Sequence, residues 1–306
     1  FPTRRSSDLE HTRAVMKIQE GCDNRCTYCV IHSVRGPVRS RDPESIRREA
    51  LALSEAGYRE IVVTGIHLTS YGRDLQGVGL LDAIRAVHET PGVCRVRLGS
   101  LEPTVATADF ARALAALPGV CPQFHLALQS GSDTVLARMR RRYNMRMYRE
   151  AVANIREAFP MAAFTTDILT GFPGETEEEH AETCAAVREI GFARIHVFPF
   201  SPREGTPAAA MGGQISRQVR ENRVRELIAV GEETAEAYRR MWLGRPAEAL
   251  PETLDTDGWH GYTQEYIPVT MPNAPGIQAG QPVGVILTDI RGGEMAGTPV
   301  SAPANQ

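Results

Sequence analysis

Nine residues constrain this chain of 306 more than any other stretch. Gly21-Cys22-Asp23-Asn24-Arg25-Cys26-Thr27-Tyr28-Cys29 sets three cysteines in a C-x3-C-x2-C spacing, directly after an apolar run, Val15-Met16-Lys17-Ile18, that reads as a strand. Three thiolates on one loop suffice for three irons of a cubane 4Fe–4S cluster. The next cysteine, Cys94, stands 65 positions further on, so one iron would stay open to an outside chelator. Zinc is the competing reading; a structural zinc takes four ligands, and His32 could complete the set. The strand–loop context favours the cluster.

Composition narrows the setting. With 34 Lys+Arg against 37 Asp+Glu and 42% hydrophobic residues, the chain is too apolar and too evenly charged for disorder. No apolar run is long enough for a bilayer span and no secretion pattern opens the chain, so a cytoplasmic protein without membrane association is expected. The six cysteines then read as thiols or metal ligands rather than as disulfides. Lys17 is the only lysine, which makes any arginine cluster weaker evidence than usual.

The opening, residues 1–13, is polar and aperiodic and is set aside as a non-native or truncated tail. From residue 14 to 243, strand-like runs alternate with helical ones. Strands are expected at 15–18, 61–64, 96–98, 124–128, 164–169 and 194–198, with helices near 43–56, 79–89, 107–117, 145–158, 177–190 and 216–242. Asp42-Pro43 and Thr176-Glu177-Glu178-Glu179 are helix-start signals. Six strand–helix units imply an α/β fold with a parallel sheet, either doubly wound or an incomplete barrel, and in both the ligand site lies at the carboxyl ends of the strands. Residues 244–306 lose the helical period; runs at 266–269 and 283–287, broken by Gly and Pro, read as a small all-β barrel or sandwich. This region carries two arginines against seven acidic residues.

The cysteine loop resembles that of the radical S-adenosylmethionine superfamily, whose triplet follows the first strand of a partial (βα)6 barrel. Further motifs look like its methylthiotransferase branch: Arg35-Gly36-Pro37-Val38-Arg39-Ser40-Arg41, Leu128-Gln129-Ser130-Gly131-Ser132, Gly171-Phe172-Pro173-Gly174-Glu175-Thr176, and a terminal module similar to a TRAM domain. Thr64-Gly65-Ile66-His67, Arg97-Leu98-Gly99-Ser100-Leu101-Glu102-Pro103 and His196-Val197-Phe198-Pro199-Phe200-Ser201 most resemble one subgroup. That subgroup methylthiolates C2 of N6-threonylcarbamoyladenosine at position 37 of tRNA.

The resemblance implies that the amine and carboxylate of S-adenosylmethionine chelate the open iron, and that the reduced cluster cleaves the sulfonium to methionine and a 5′-deoxyadenosyl radical. Cys22, Cys26 and Cys29 would be the ligands. The turn carrying Thr64, Gly65 and His67 would meet the methionyl amine, Ser130 and Arg141 the ribose or carboxylate, and Asp167 the inside of the barrel near the cofactor. Each also has a structural reading: a strand-ending turn for Thr64-Gly65, a helix cap for Ser130, a satisfied buried polar group for Asp167. His125 and His196 read as core histidines, and Cys94, Cys121 and Cys184 as incidental thiols.

The expected partners are tRNA and a reductant protein such as flavodoxin or ferredoxin. Arg35, Arg39 and Arg41 after the cluster loop, and the run Arg138, Arg140, Arg141, Arg142, Arg146 and Arg149, could contact phosphates or form a solvated face. A TRAM-type barrel should grip tRNA, yet this one is acidic; Trp259, Tyr262 or Tyr266 could stack on bases without charge. Full-length members of the branch carry an N-terminal domain whose three cysteines hold a second 4Fe–4S cluster, and its ligands have no counterpart here. The chain therefore reads as a fragment with the radical and RNA-binding parts. The alternatives are a relative acting on a ribosomal protein or another tRNA adenosine, and an inactive RNA-binding remnant.

Overall fold

The computed structural model describes residues 12–300. The N-terminal part runs β1 (Arg13–Glu20), α1 (Ile31–Arg35), β2 (Arg39–Ser40), α2 (Pro43–Glu55), β3 (Glu60–Gly65), α3 (Leu80–His88), β4 (Arg95–Leu98), α4 (Ala108–Ala115) and β5 (Gln123–His125). It continues with α5 (Asp133–Arg138), α6 (Met145–Ala158), β6 (Ala163–Thr170), α7 (Glu177–Ile190), β7 (Arg194–Pro199) and α8 (Arg217–Arg240). The expected tail lies almost wholly outside the described residues, and Arg13 already belongs to β1.

Strand order decides between the two α/β architectures. β1, β3 and β4 pair in parallel, as do β5, β6 and β7. Parallel bridges Val96↔Val120 and Leu101↔Leu126 join the two sheets between β4 and β5. Six parallel strands thus follow one another in chain order. A doubly wound sheet would reverse that order at a switch point, whereas a partial barrel needs it unbroken. The short antiparallel β2 adds an outer edge to β1 through Gln19↔Ser40.

Local chemistry explains the elements. Asp42 accepts from Ser45 N and starts α2; Thr176 and Glu179 form a reciprocal capping box at α7, which Gly191 ends in the left-handed conformation. Along β1, Ala14, Met16 and Ile18 are buried, while the alternate positions Val15 and Lys17 face away from that core. The helices cover the outer face, where Ile61, Val63, Val96, Leu98, Phe124, Leu126, Phe164 and Ile168 make one continuous core with them. Among the described residues no helix is long and apolar enough to cross a membrane.

The C-terminal part is a closed five-stranded barrel: β8 (Pro246–Leu254), β9 (Trp259–Thr263), β10 (Pro268–Met271), β11 (Val283–Arg291) and β12 (Glu294–Pro299), in the order β10-β12-β11-β8-β9. The strand expected from 266 starts at Pro268, because Tyr266 sits at φ 66 in the turn that brings Thr263 N to Ile267 O. The barrel interior (Ala249, Val269, Met271, Val285, Leu287, Met295) is continuous with Ala163, Tyr238 and Trp242 of the first part.

The barrel docks against the N-terminal ends of the parallel strands. Arg13 pairs with Glu252 at 2.5 Å. Arg95, with no exposed side-chain surface, bonds Glu248 through Nε (2.9 Å) and Nη2 (2.7 Å to the carbonyl) and reaches Glu60. Arg97 bonds Glu60 Oε1 at 2.7 Å and the carbonyl of Gln264 at 2.8 Å. Burial alone would raise the pKa of Glu60, but the charges of Arg97 and Arg95 hold it below its ordinary value.

Candidate metal centre

β1 delivers the chain to Gly21, whose φ of 75 no side chain tolerates well; a Cβ there would lie 1.8 Å from the carbonyl oxygen of Pro37. This close approach lets Cys22 N bond the carbonyl of Gly36 at 3.0 Å and folds the cysteine loop back on the segment that follows it. The other side is tied to the end of α5: Thr27 N bonds the carbonyl of Met139 at 3.1 Å, and Thr27 Oγ1 that of Arg138 at 2.9 Å.

The three cysteines line one cavity at the carboxyl ends of the strands, together with Asn24, Tyr28, His32, His67, Glu102, Gln129 and Arg141. Cys26 is buried, Cys22 and Cys29 half-buried. Burial pushes the Cys22 and Cys26 thiols up; at Cys26 the Arg141 guanidinium, whose Nη1 lies 3.1 Å from the sulfur, offsets only part of that. Ile31 N donates to Cys29 Sγ at 3.4 Å.

The donor set fits a polynuclear cluster better than zinc. A tetrahedral zinc with Zn–S near 2.3 Å requires its sulfurs about 3.8 Å apart. Among the described residues the group of ligand atoms lying within 4.8 Å of one another is His180, Cys184 and Glu226 on α7 and α8, not the triplet. Three thiols around one cavity, not all within 4.8 Å of one another, suit ligands that each take a different iron, and hydrogen-bond donors beside the sulfurs would tune such a cluster. Asn24 Oδ1 and His32 Nδ1, both on the cavity wall, are buried without a hydrogen-bond partner, as befits a wall shaped for a bound group.

Glu102 organises the cavity wall. It accepts from Arg141 Nη2 at 2.6 Å and Asn24 Nδ2 at 3.0 Å, and lies 3.1 Å from His67 Nε2. Burial would raise its pKa, but the His67 hydrogen bond and the Arg141 charge overcome that and keep it low. Tyr143 Oη accepts from Arg141 Nε at 3.1 Å, so three edges of the guanidinium are fixed and its plane is set against Cys26.

Of the residues expected at the cofactor, Arg141 and His67 line this cavity and meet at Glu102. Gly65 shapes the wall indirectly: its missing Cβ would lie 2.9 Å from Gln19, whose Oε1 accepts from His67 N at 2.7 Å. Thr64 packs beside Gly99 at the strand end. Ser130 is buried, accepting from Ser132 N at 3.2 Å and touching Thr183 Oγ1 at 3.3 Å. Asp167 is half-exposed on β6, with Oδ2 3.6 Å from His125 Nε2 and His196 as its register neighbour. His125 and His196 are half-buried beside it rather than enclosed in the core.

The arginines after the loop divide. Arg35 and Arg39 are exposed, with Arg39 Nη2 on the carbonyl of Arg35 at 3.0 Å. Arg41 turns inward to Glu49, Ser45 and the carbonyl of Lys17, so its guanidinium is committed to the protein. Sequence reasoning missed Glu102, Asn24 and Gln129, although all three stand inside quoted motifs. Only their meeting across 78 and 101 positions gives them a role at the site (Asn24–Glu102 and Tyr28–Gln129).

A family model described as "Radical SAM superfamily" matches residues 16–187. The Bacillus subtilis (strain 168) protein named threonylcarbamoyladenosine tRNA methylthiotransferase MtaB is 41% identical over 85% of this chain and 59% of its own length. A Frankia alni protein named tRNA-2-methylthio-N(6)-dimethylallyladenosine synthase is 44% identical over 82% of this chain and 50% of its own. The chain thus spans little more than half the length of the curated relatives it matches. Among solved structures, the radical S-adenosylmethionine methyltransferase TsrM from Kitasatospora setae aligns with a TM-score of 0.55 at 18% identity, covering 64% of this chain and 36% of that one, a likeness of fold.

Proposed function

This chain belongs to the radical SAM superfamily, and on that footing we propose that it forms the radical-generating and RNA-contacting part of a tRNA methylthiotransferase acting at C2 of N6-threonylcarbamoyladenosine 37. The observation that carries the reading is the three-thiol cavity with Arg141 set between Cys26 and Glu102. When bound, a 4Fe–4S cluster and S-adenosylmethionine supply reductive one-electron cleavage of the sulfonium. Cys22, Cys26 and Cys29 would hold the cluster. Glu102 orients Arg141 toward a carboxylate, and the half-buried cavity excludes water from the reacting atoms. Thr64 and Ser130 would support the cavity wall from behind. The electron would come from a reductant protein such as flavodoxin or ferredoxin.

Two relatives named for different adenosines match about equally. The inside of the half-barrel favours the threonylcarbamoyl group: His125, Thr165, Asp167 and His196 on adjoining strands offer hydrogen bonds that a dimethylallyl group could not use. Cys94, Cys121 and Cys184 lie scattered at the start of β4, before β5 and on α7, and do not form a second triplet. Methylthiolation by this chain alone is therefore not expected.

After anaerobic reconstitution and reduction, the protein should hold about four irons per chain and form 5′-deoxyadenosine from S-adenosylmethionine, and Cys26→Ala should do neither. A parent that binds no iron would overturn the radical reading. Cofactor cleavage that ignores tRNA of every kind would overturn the RNA substrate.

A further inference from the structure

The C-terminal barrel turns part of its aromatic and charged surface toward the half-barrel. Tyr262 and Tyr266 stack on each other, with ring centroids 4.5 Å apart and planes 15° apart. Arg13 lies 4.9 Å from both rings and Arg97 4.8 Å from Tyr266. Trp259 packs against the barrel core. Of its seven acids, Glu248 and Glu252 pair with Arg95 and Arg13 and Glu265 is buried, which leaves Asp255, Asp257, Asp289 and Glu294 outside with Arg245 and Arg291. Its attachment lies at Arg13 and Arg95, whereas the cysteines follow the opposite ends of the strands. β1 alone, at eight residues, separates the two by about 26 Å.

The cluster face has the opposite character. Of the arginine run 138–149, Arg138 is held by Glu179, Arg146 by Glu150, Arg149 by Glu189, and Arg141 faces the cavity. Arg140 and Arg142 remain, both exposed, and among the described residues neither side chain has a hydrogen bond or ion pair. They flank Arg141, next to the carbonyls that fasten the cysteine loop. Arg25, between the first two cysteines, is exposed and likewise without a partner, and Arg39 bonds only backbone carbonyls. Arg140 also holds φ 55 at the end of α5, where glycine is the usual occupant. A charged residue persists in a conformation that favours glycine.

From this, and resting on the tRNA reading above, we infer that the phosphate backbone of the RNA is gripped on the cluster face by Arg25, Arg39, Arg140 and Arg142, while the C-terminal barrel serves as the floor of the half-barrel. An adenosine delivered to the cavity brings its flanking phosphates to this rim, not to the far end of the strands. Contacts of this kind weaken with salt, because neutralised phosphates release counterions.

Binding of a labelled anticodon stem–loop RNA, followed by fluorescence anisotropy between about 50 and 200 mM salt, separates the two surfaces. Arg140→Gly with Arg142→Ala should weaken binding roughly tenfold and flatten the log–log salt slope by about two. Arg25→Ala should act in the same direction. Arg245→Ala with Arg291→Ala, on the barrel, should stay within about twofold of the parent. Arg140→Gly should keep or raise the melting temperature, so weaker binding cannot be ascribed to misfolding. Binding that falls with the barrel pair and ignores the rim variants would overturn this inference alone. A parent that binds no RNA would remove the tRNA reading with it.

Discussion

The two ends of the half-barrel use the same chemical pair, a buried arginine on a glutamate, for different ends. At the floor, Glu60 takes Arg97 and Arg95 together, and the remaining guanidinium edges go to Glu248, Gln123 and the carbonyls of Thr263 and Gln264. Most of these partners are permanent acceptors of the fold. At the rim, Glu102 takes Arg141, but the other edges meet Cys26 Sγ and the Tyr28 hydroxyl on the wall of a cavity, with the buried Tyr143 hydroxyl behind. The difference teaches that burial of an ion pair does not by itself mark a functional site. What distinguishes the rim is that its pair spends donors on atoms that a ligand can share.

The sharpest way to break this contrast is at the floor. Glu60→Ala leaves two guanidiniums buried beside each other without their carboxylate, and should cost about 3–5 kcal/mol in chemical denaturation with the cluster face unchanged in the folded fraction. Arg141→Lys tests the rim. It keeps a charge but not the fork, and should lower kcat/KM for 5′-deoxyadenosine formation by about 10- to 100-fold at unchanged iron content, while costing less stability than Glu60→Ala. A loss of iron equal to the loss of activity would make Arg141 a mere support of the cysteine loop.

The third and smallest effect concerns the tie between rim and helices. Glu179 closes the capping box of α7 and also takes Arg138 and Thr134. The hydrogen bond to Arg138, set against burial and reinforced by Thr134, lowers its pKa from 4.5 to about 2. A folded-state pKa below the unfolded one contributes stability that is complete above pH 4.5 and is lost as pH falls toward 2. Glu179→Gln should therefore flatten the acid limb of the stability curve over that window and leave neutral-pH iron content alone. An acid limb identical to the parent's would remove Glu179 from the account.

Much of this was legible in the sequence because it is local. The triplet announces itself by spacing, and Asp42-Pro43 and Thr176–Glu179 announce helix starts through caps that reach three residues. Six repeated units imply a parallel sheet, but only pairing order chooses the partial barrel. The elements that escaped are those whose reason is not periodicity. α5 is six residues long, too short to show a helical period, and its N-cap is Ser132 rather than Ser130. β8, β9 and β12 are interrupted by Pro, Gly and acids, and are strands because the barrel closes around them. Glu102 escaped for a third reason. Nothing near it in the chain carries its partners; Arg141 lies 39 positions away and Asn24 78.

The guanidinium of Arg95 has one further consequence. Its side chain is wholly enclosed, and two of its hydrogen bonds end on Glu248, across the boundary between the half-barrel and the small barrel. Two parts that look separable on a topology diagram are thereby joined into one cooperative unit. Cutting between them would strand charges in the interior instead of exposing a ready-made surface. Modularity in the line of the chain need not mean independence in the energetics of the folded molecule.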